Sequence, residues 1–208
     1  MLVIVDYGMG NLRSILYKLQ KINIEAMVSS SPVDIEKADK LILPGVGHFS
    51  KGMENIRKYG LLDVLNKKVF EDKTPIMGIC LGVQLFTNFS QEGDCEGLKW
   101  VDAETIKFRF TEENGLRVPH IGWNLVKIKR ESPFWSDFPE DKRFYFVHSY
   151  YIKCKNPDDI VAVSEYGHEF VSVLQKDNIF GTQFHPEKSH RDGFELVKHF
   201  AEMDYKKC

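Results

Sequence analysis

Apolar and polar positions follow two different rhythms along this chain. In the first half, short unbroken apolar runs alternate with stretches of helical spacing. Leu2-Val3-Ile4-Val5 predicts a buried strand, with a turn after it at Tyr7-Gly8-Met9-Gly10. Asn11 then stands as an N-cap before Leu12, Ile15, Leu16, Leu19 and Ile22, which recur along one helix face. Ala26-Met27-Val28 and Leu41-Ile42-Leu43 predict two more strands, the latter stopped by Pro44-Gly45. Amphipathic helices are expected near 53–59 and 61–70. Pro75-Ile76-Met77-Gly78-Ile79 is a further apolar strand that leads into a helix expected near 83–89. Such alternation implies parallel strands with helices on both faces.

The second half changes period. Short β-rich runs are expected at 105–110, 125–129, 144–147, 160–163, 170–174 and 179–184, with a turn signal at Asn114-Gly115. A last helix follows, with Phe194, Leu196, Val197, Phe200 and Met203 as its apolar positions. The reading is an α/β fold: a mostly parallel central sheet with helices on both faces, and an antiparallel β extension of that sheet in the second half. With no linker, repeat or low-complexity tract in view, one domain over residues 1–208 is expected.

Composition narrows the function classes. The 208 residues are 43% hydrophobic and 28% charged, a soluble globular mixture. A net charge of -2 supplies no broad basic field for nucleic acid. No segment approaches the roughly 20 apolar residues that span a bilayer, and the short first apolar run, broken by Asp6, does not read as a signal peptide. A cytoplasmic protein is expected. Cys80, Cys95, Cys154 and Cys208 form no C-x-x-C pair and no zinc-spaced cluster with histidine, so four free thiols and no metal or organic cofactor are expected.

One of these thiols stands apart. Gly78-Ile79-Cys80-Leu81-Gly82 lies between a strand and a helix, in the pattern of a nucleophile elbow. Glycines on both sides let strand and helix approach closely. A helix N-terminus favours thiolate over thiol, and the Leu81 N–H is placed to meet a developing oxyanion. A thiolate nucleophile needs a base and an orienter for it. His185 follows an apolar strand and carries Glu187 two residues on, on the same side if the chain is extended. Taken alone, Cys80 could be a small buried apolar residue and His185 a structural one; H-x-E is a weak signal by itself. A cysteine peptidase would use the same residue types.

Together, Gly78 to Gln84 and His185-Pro186-Glu187 resemble the class I, triad-type glutamine amidotransferases, and Pro44-Gly45-Val46-Gly47 resembles that family's oxyanion-strand loop. Within the family, the opening Asp6-Tyr7-Gly8-Met9-Gly10-Asn11-Leu12, Pro119-His120-Ile121-Gly122-Trp123-Asn124, Tyr145-Phe146-Val147-His148-Ser149-Tyr150 and Lys188-Ser189 are similar to the glutaminase subunits of imidazole glycerol phosphate synthases. The resemblance implies Cys80 as nucleophile, His185 as base and acid, and Glu187 as its orienter. It implies an oxyanion hole from Val46, Gly47 and Leu81, formed after a peptide flip in the loop. Gly47, Gln84, His148, Ser149 and Tyr150 would hold glutamine. It further implies a separate (β/α)8-barrel cyclase subunit as heterodimer partner, with ammonia channelled to it for imidazole glycerol phosphate and AICAR. Asn11, Trp123 and Lys188 would lie on the docking face. Paralogues that feed ammonia to amidation of a surface-polysaccharide sugar stay open as the alternative, because the stretch 98–104 departs from the usual subunit pattern and Ser189-His190-Arg191-Asp192-Gly193 resembles such paralogues.

Overall fold

The computed structural model describes residues 1–111, 115–135 and 142–205. The chain order begins β1 (Leu2–Val5), α1 (Leu12–Lys21), β2 (Ala26–Ser29), α2 (Pro32–Glu36) and β3 (Lys40–Gly45). It continues with α3 (Phe49–Lys58), α4 (Leu62–Phe70), β4 (Ile76–Cys80) and α5 (Leu81–Gln84). Then come β5 (Phe89–Ser90), β6 (Cys95–Glu96), β7 (Ala103–Lys107), β8 (His120–Ile128) and β9 (Lys142–His148). The last elements are β10 (Tyr150–Cys154), β11 (Ile160–Tyr166), β12 (His168–Lys176), β13 (Ile179–Thr182) and α6 (His190–Glu202).

The main sheet runs β2-β1-β3-β4-β13-β12-β11-β8-β9. Its first five strands are parallel, and β12, β11, β8 and β9 continue it antiparallel. The parallel strands read as continuous apolar runs because successive side chains enter cores on opposite faces. Val3, Val5, Leu41, Leu43 and Ile76 pack on one side with α3 and α4 residues such as Met53, Ile56 and Leu65. Leu2, Ile4, Ile42, Met77 and Ile79 pack on the other with Ile15 and Leu19 of α1 and Leu196, Val197 and Phe200 of α6. Among the described residues, no helix is long and apolar enough to cross a membrane.

Several elements differ from the expected pattern. The run expected at 105–110 does not extend the main sheet. As β7 it joins a second sheet, β10-β7-β5-β6, paired antiparallel to β10, a strand the periodicity did not reveal. The helix expected near 83–89 stops after one turn. The N–H groups of Leu98 and Trp100 take the carbonyls of Leu85 and Phe86 at 2.8 and 2.9 Å, and the Thr87 hydroxyl donates to Gln84 O at 2.8 Å. These bonds satisfy acceptors that a longer helix would have used internally. The helix expected from 53 begins earlier, at Phe49, and β3 runs through Pro44 to Gly45. Asn114 of the expected turn lies outside the described residues, as does Cys208.

Lys40 ties the start of β3 to the end of α6. Its Nζ donates to the carbonyls of Phe200, Ala201 and Met203 at 3.0, 2.6 and 2.6 Å. Those carbonyls lie in the last turn of a helix, or just past it, where no internal donor remains. Lys40→Met is expected to cost roughly 1–2 kcal/mol, read as a Tm fall of about 3–6 °C in thermal melts. An unchanged Tm would show that the ammonium contributes nothing net.

Candidate active site

The site is built where β4 gives way to α5. Cys80 sits at that junction with φ 51° and ψ −107°, a conformation an L-residue enters only when its surroundings impose it. The reason is close approach. A Cβ on Gly78 would lie 2.6 Å from the Val83 backbone, and one on Gly82 would lie 1.7 Å from Leu43 O. With glycine at both places, α5 turns back onto β3 and β4 and Cys80 is held at the strand ends. Because α5 is a single turn, the N–H groups of its first residues matter here rather than a long helix dipole.

Around the sulfur, Gln183 Nε2 approaches Sγ at 3.8 Å and Val147 O lies at 4.0 Å. His185 and Glu187 are both buried, with Nδ1 2.7 Å from Oε1. The pair does not lie in extended chain as expected. β13 ends at Thr182, and His185 precedes a 3-10 turn at Pro186–Lys188 that brings the carboxylate back to the imidazole. Burial alone would lower the His185 pKa. The charge and proximity of Cys80, followed by the Glu187 carboxylate, outweigh it and push His185 up to about 10. Nε2 makes no hydrogen bond of good geometry among the described residues, so it faces the thiol by proximity rather than through a formed bond.

A cavity of about 200 Å³ opens above Cys80. Val46, Gly47, Leu81, Gln84, His148, Ser149 and Tyr150, all named from sequence, line it together with Glu92, Pro119 and Val147. Gln84 Nε2 is committed to Tyr150 O at 2.9 Å and Gln183 Oε1 at 3.1 Å, so its Oε1 is the atom left to receive a ligand donor. Glu92 was not legible in the local pattern. Its Oε2 accepts from the Phe49 N–H at 2.9 Å, which anchors a carboxylate at the pocket wall. Gln183 was not singled out from sequence; it lies just past the end of β13, two residues before His185. A larger cavity of about 430 Å³, lined in part by Lys40, Lys68 and Asp72, lies at the start of β3, the opposite end of the strands from Cys80.

Asn11, Trp123 and Lys188 do not line the pocket. Asn11 is exposed and its side chain accepts from Ser14 N at 3.4 Å. Trp123 is 42% exposed and stacks on His190 at 4.9 Å, while Lys188 Nζ lies 5.8 Å from the Tyr145 ring centre. Ile121 and Val46, 59% and 47% exposed, add apolar surface to the strand that carries Trp123 and to the pocket rim. Among the described residues, no three His, Cys, Asp or Glu side chains group as a metal site.

The family model described as glutamine amidotransferase class-I matches residues 3–202. Imidazole glycerol phosphate synthase subunit HisH 2 of Methanococcus maripaludis is 49% identical over 98% of this chain and 100% of its own length. The protein of the same name from Pseudomonas aeruginosa is 47% identical over the same shares. A crystal structure of a glutamine amidotransferase superposes with a TM-score of 0.70 at 19% identity, covering 94% of this chain and 98% of that one.

Behind the pocket, His120 Nδ1 and His148 Nε2 are 3.0 Å apart, and His148 Nδ1 is 2.7 Å from Tyr150 O. Burial lowers His120 to about 4. It lowers His148 to about 3, helped by the charges of His120 and His185 and opposed by the Tyr150 carbonyl. Both are neutral in the fold, whereas the unfolded chain protonates them near 6.5. Their contribution is therefore present above pH 6.5 and is lost as pH falls toward about 4 and 3. His185 has the opposite sign: its contribution is complete below 6.5 and lost only as pH rises through about 10. Thermal melts from pH 6.5 to 5, above the carboxylate range, should show a falling Tm. A flat Tm there would mean that the two buried imidazoles accept protons without unfolding.

Proposed function

We propose, from the premise that this chain belongs to the class-I glutamine amidotransferase family and, within it, to the HisH subunits of imidazole glycerol phosphate synthase, that it hydrolyses glutamine and delivers the ammonia to a separate synthase subunit. The observation that carries the chemistry is the buried imidazole of His185, set between Cys80 and Glu187 and raised to about 10. An imidazolium at that position and a thiolate nucleophile stabilise one another. The thiolate attacks the side-chain amide carbon of glutamine. Leu81 N–H, as the first of α5, and an N–H from the Val46-Gly47 loop receive the oxyanion. His185 protonates the departing nitrogen, so ammonia leaves and a glutamyl thioester remains. Water, deprotonated by the now neutral His185, hydrolyses the thioester to glutamate; the sulfur leaves as thiolate and the thiolate–imidazolium pair is restored.

The pocket suits free glutamine rather than a peptide. Its volume of about 200 Å³ fits one small amino acid, and it carries a carboxylate, Glu92, for the α-ammonium. Gly47, Gln84, His148, Ser149 and Tyr150 provide the remaining walls and backbone groups. The whole unit, residues 1–208, acts as one domain in the cytoplasm, without metal or organic cofactor. Its partner is a (β/α)8-barrel cyclase subunit that uses the ammonia to form imidazole glycerol phosphate and AICAR in histidine biosynthesis, as a heterodimer with a channel between the sites. The exposed Trp123 and Lys188, with Asn11, form part of the docking face. The relatives' names support this acceptor over a polysaccharide sugar.

Glutamate release is measured for the chain alone, and for the chain with its barrel subunit and the nucleotide substrate. Activity should appear mainly in the complete mixture. A normal complex without activation would point instead to a sugar-amidating acceptor. In that mixture Cys80→Ala should abolish release and His185→Asn should come close, while Glu187→Gln should cost less than either. Undiminished Cys80→Ala turnover would sink the assignment. As imidazolium is lost, kcat/KM should fall on the alkaline side as pH approaches about 10. An alkaline limb near 6.5 would show that His185 carries no stabilised charge.

A further inference from the structure

The turn after β1 forms the floor of the oxyanion loop. A Cβ on Gly45 would lie 2.3 Å from the Tyr7 hydroxyl oxygen and 2.8 Å from Leu81 Cβ. A Cβ on Gly47 would lie 2.6 Å from Met9 Cε, and one on Gly10 would lie 3.4 Å from Gly45 Cα. Tyr7, Met9 and Gly10 thus touch the loop from beneath, while Val46 and Gly47 present its other side to the cavity. Tyr7 is fully buried, and its hydroxyl has no hydrogen-bond partner among the described residues. An isolated buried hydroxyl costs stability, so its presence beside the loop calls for a use in another state of the site.

That use follows from the shape of a trans peptide, whose N–H and C=O point in opposite directions. For Val46 N–H to face the oxyanion in the cavity, the carbonyl of Gly45, in the same peptide, must point away from it. Tyr7 is not among the residues that line the cavity, and its hydroxyl lies beside Gly45. Burial, and then the charge of Cys80, raise the Tyr7 pKa far above its ordinary value, so the group remains an O–H able to donate.

We propose that Tyr7 is a positioning residue for the oxyanion hole: its hydroxyl donates to the Gly45 carbonyl when the Gly45–Val46 peptide turns its N–H toward the substrate. In the arrangement described here that bond is unmade and the hydroxyl is unsatisfied. Making it lowers the energy of the competent loop relative to the idle one. Tyr7 touches no reacting atom; it acts through the backbone of Gly45 and Val46. This rests on the glutaminase assignment above and adds to it a group that selects the active form of the loop.

The test is Tyr7→Phe, which removes one oxygen and keeps the ring, assayed with the barrel subunit and the nucleotide substrate. The kcat for glutamate release should fall about tenfold, less than for loss of a direct oxyanion donor, with KM for glutamine unchanged. The aldehyde analogue of glutamine forms a thiohemiacetal with the thiolate, and the oxygen of that adduct occupies the oxyanion hole. Its affinity should weaken by a similar factor. Alkylation of Cys80 by iodoacetamide needs no oxyanion hole and should keep its rate and pH dependence. Without ligand, the variant should melt about 2–4 °C higher, because a buried unpaired hydroxyl is gone. Unchanged kcat and aldehyde affinity in Tyr7→Phe, beside a normal parent, would overturn the proposal alone. So would a lower Tm, which marks a structural hydroxyl, or altered alkylation with unaltered aldehyde affinity, which marks an effect on the thiolate. A parent that releases no glutamate in the complete mixture would overturn the glutaminase assignment and this proposal with it.

Discussion

The close contact between α5 and the ends of β3 and β4 is the constraint on which the site depends. Gly82 lies against the Leu43 carbonyl, and Gly78 against the backbone of Val83, at distances no side chain could share. That packing forces Cys80 into positive φ, and the sulfur is then presented at the strand ends, where the loop after β3 and the segment after β13 also arrive. The order of strands completes the arrangement. β4 is flanked by β3 on one side and β13 on the other, so the Val46-Gly47 loop and the His185 turn approach Cys80 from its two neighbours. Cys80, the Val46-Gly47 loop and the His185 segment follow three adjacent strands, and the positions of all three are set by one sheet.

Electrostatics divides the three histidines nearest the pocket into two kinds. His185 is buried yet pushed up to about 10 by its interactions with Cys80 and then with Glu187. His120 and His148 are buried without such partners and are held neutral, at about 4 and 3. The division has a use. A second imidazolium beside the pocket would compete for the thiolate and repel the α-ammonium of an amino acid. Neutral rings instead pack among Phe108, Phe146 and Phe170 and form an apolar wall.

Much of this was legible in the sequence where a single physical requirement controls a short segment. The apolar runs of β1, β3 and β4 are buried on both faces, so their hydrophobicity is continuous, and the glycine bracket around Cys80 records a steric necessity. Asn11 was legible because a cap is a local device. What was not legible depends on distant segments. The helix after Cys80 was expected to be longer because Leu85 and Phe86 continue its apolar pattern; that its carbonyls go instead to Leu98 and Trp100 is a tertiary fact. The same holds for β7, whose alternation suits any sheet, and for Glu92, whose place in the pocket follows from its bond to Phe49 N across 43 residues. The His185–Glu187 spacing suggested the pairing, but through an extended geometry that the structure replaces with a turn.

The idle and competent forms of such a site need to differ by only a few kcal/mol for a partner to control it, since a ligand shifts an equilibrium only by its differential affinity for the two states. Cys80, His185 and Glu187 are a poor place to store that difference, because all three are buried. The loop after β3 is better suited, because Val46 and Gly47 are exposed and a peptide can rotate there without moving a strand. An exposed loop alone would sample many orientations, however, and would give no sharp alternative. A buried donor beneath it, reachable only when the carbonyl points inward, limits the choice to two. The β1 turn that supplies this floor also leads into α1 at Asn11, and α1 packs against the turn that carries Glu187. One short segment therefore touches both the Val46-Gly47 loop and the turn that carries Glu187, so under the proposed function contact made at that end of the molecule by another subunit would act on both sides of Cys80.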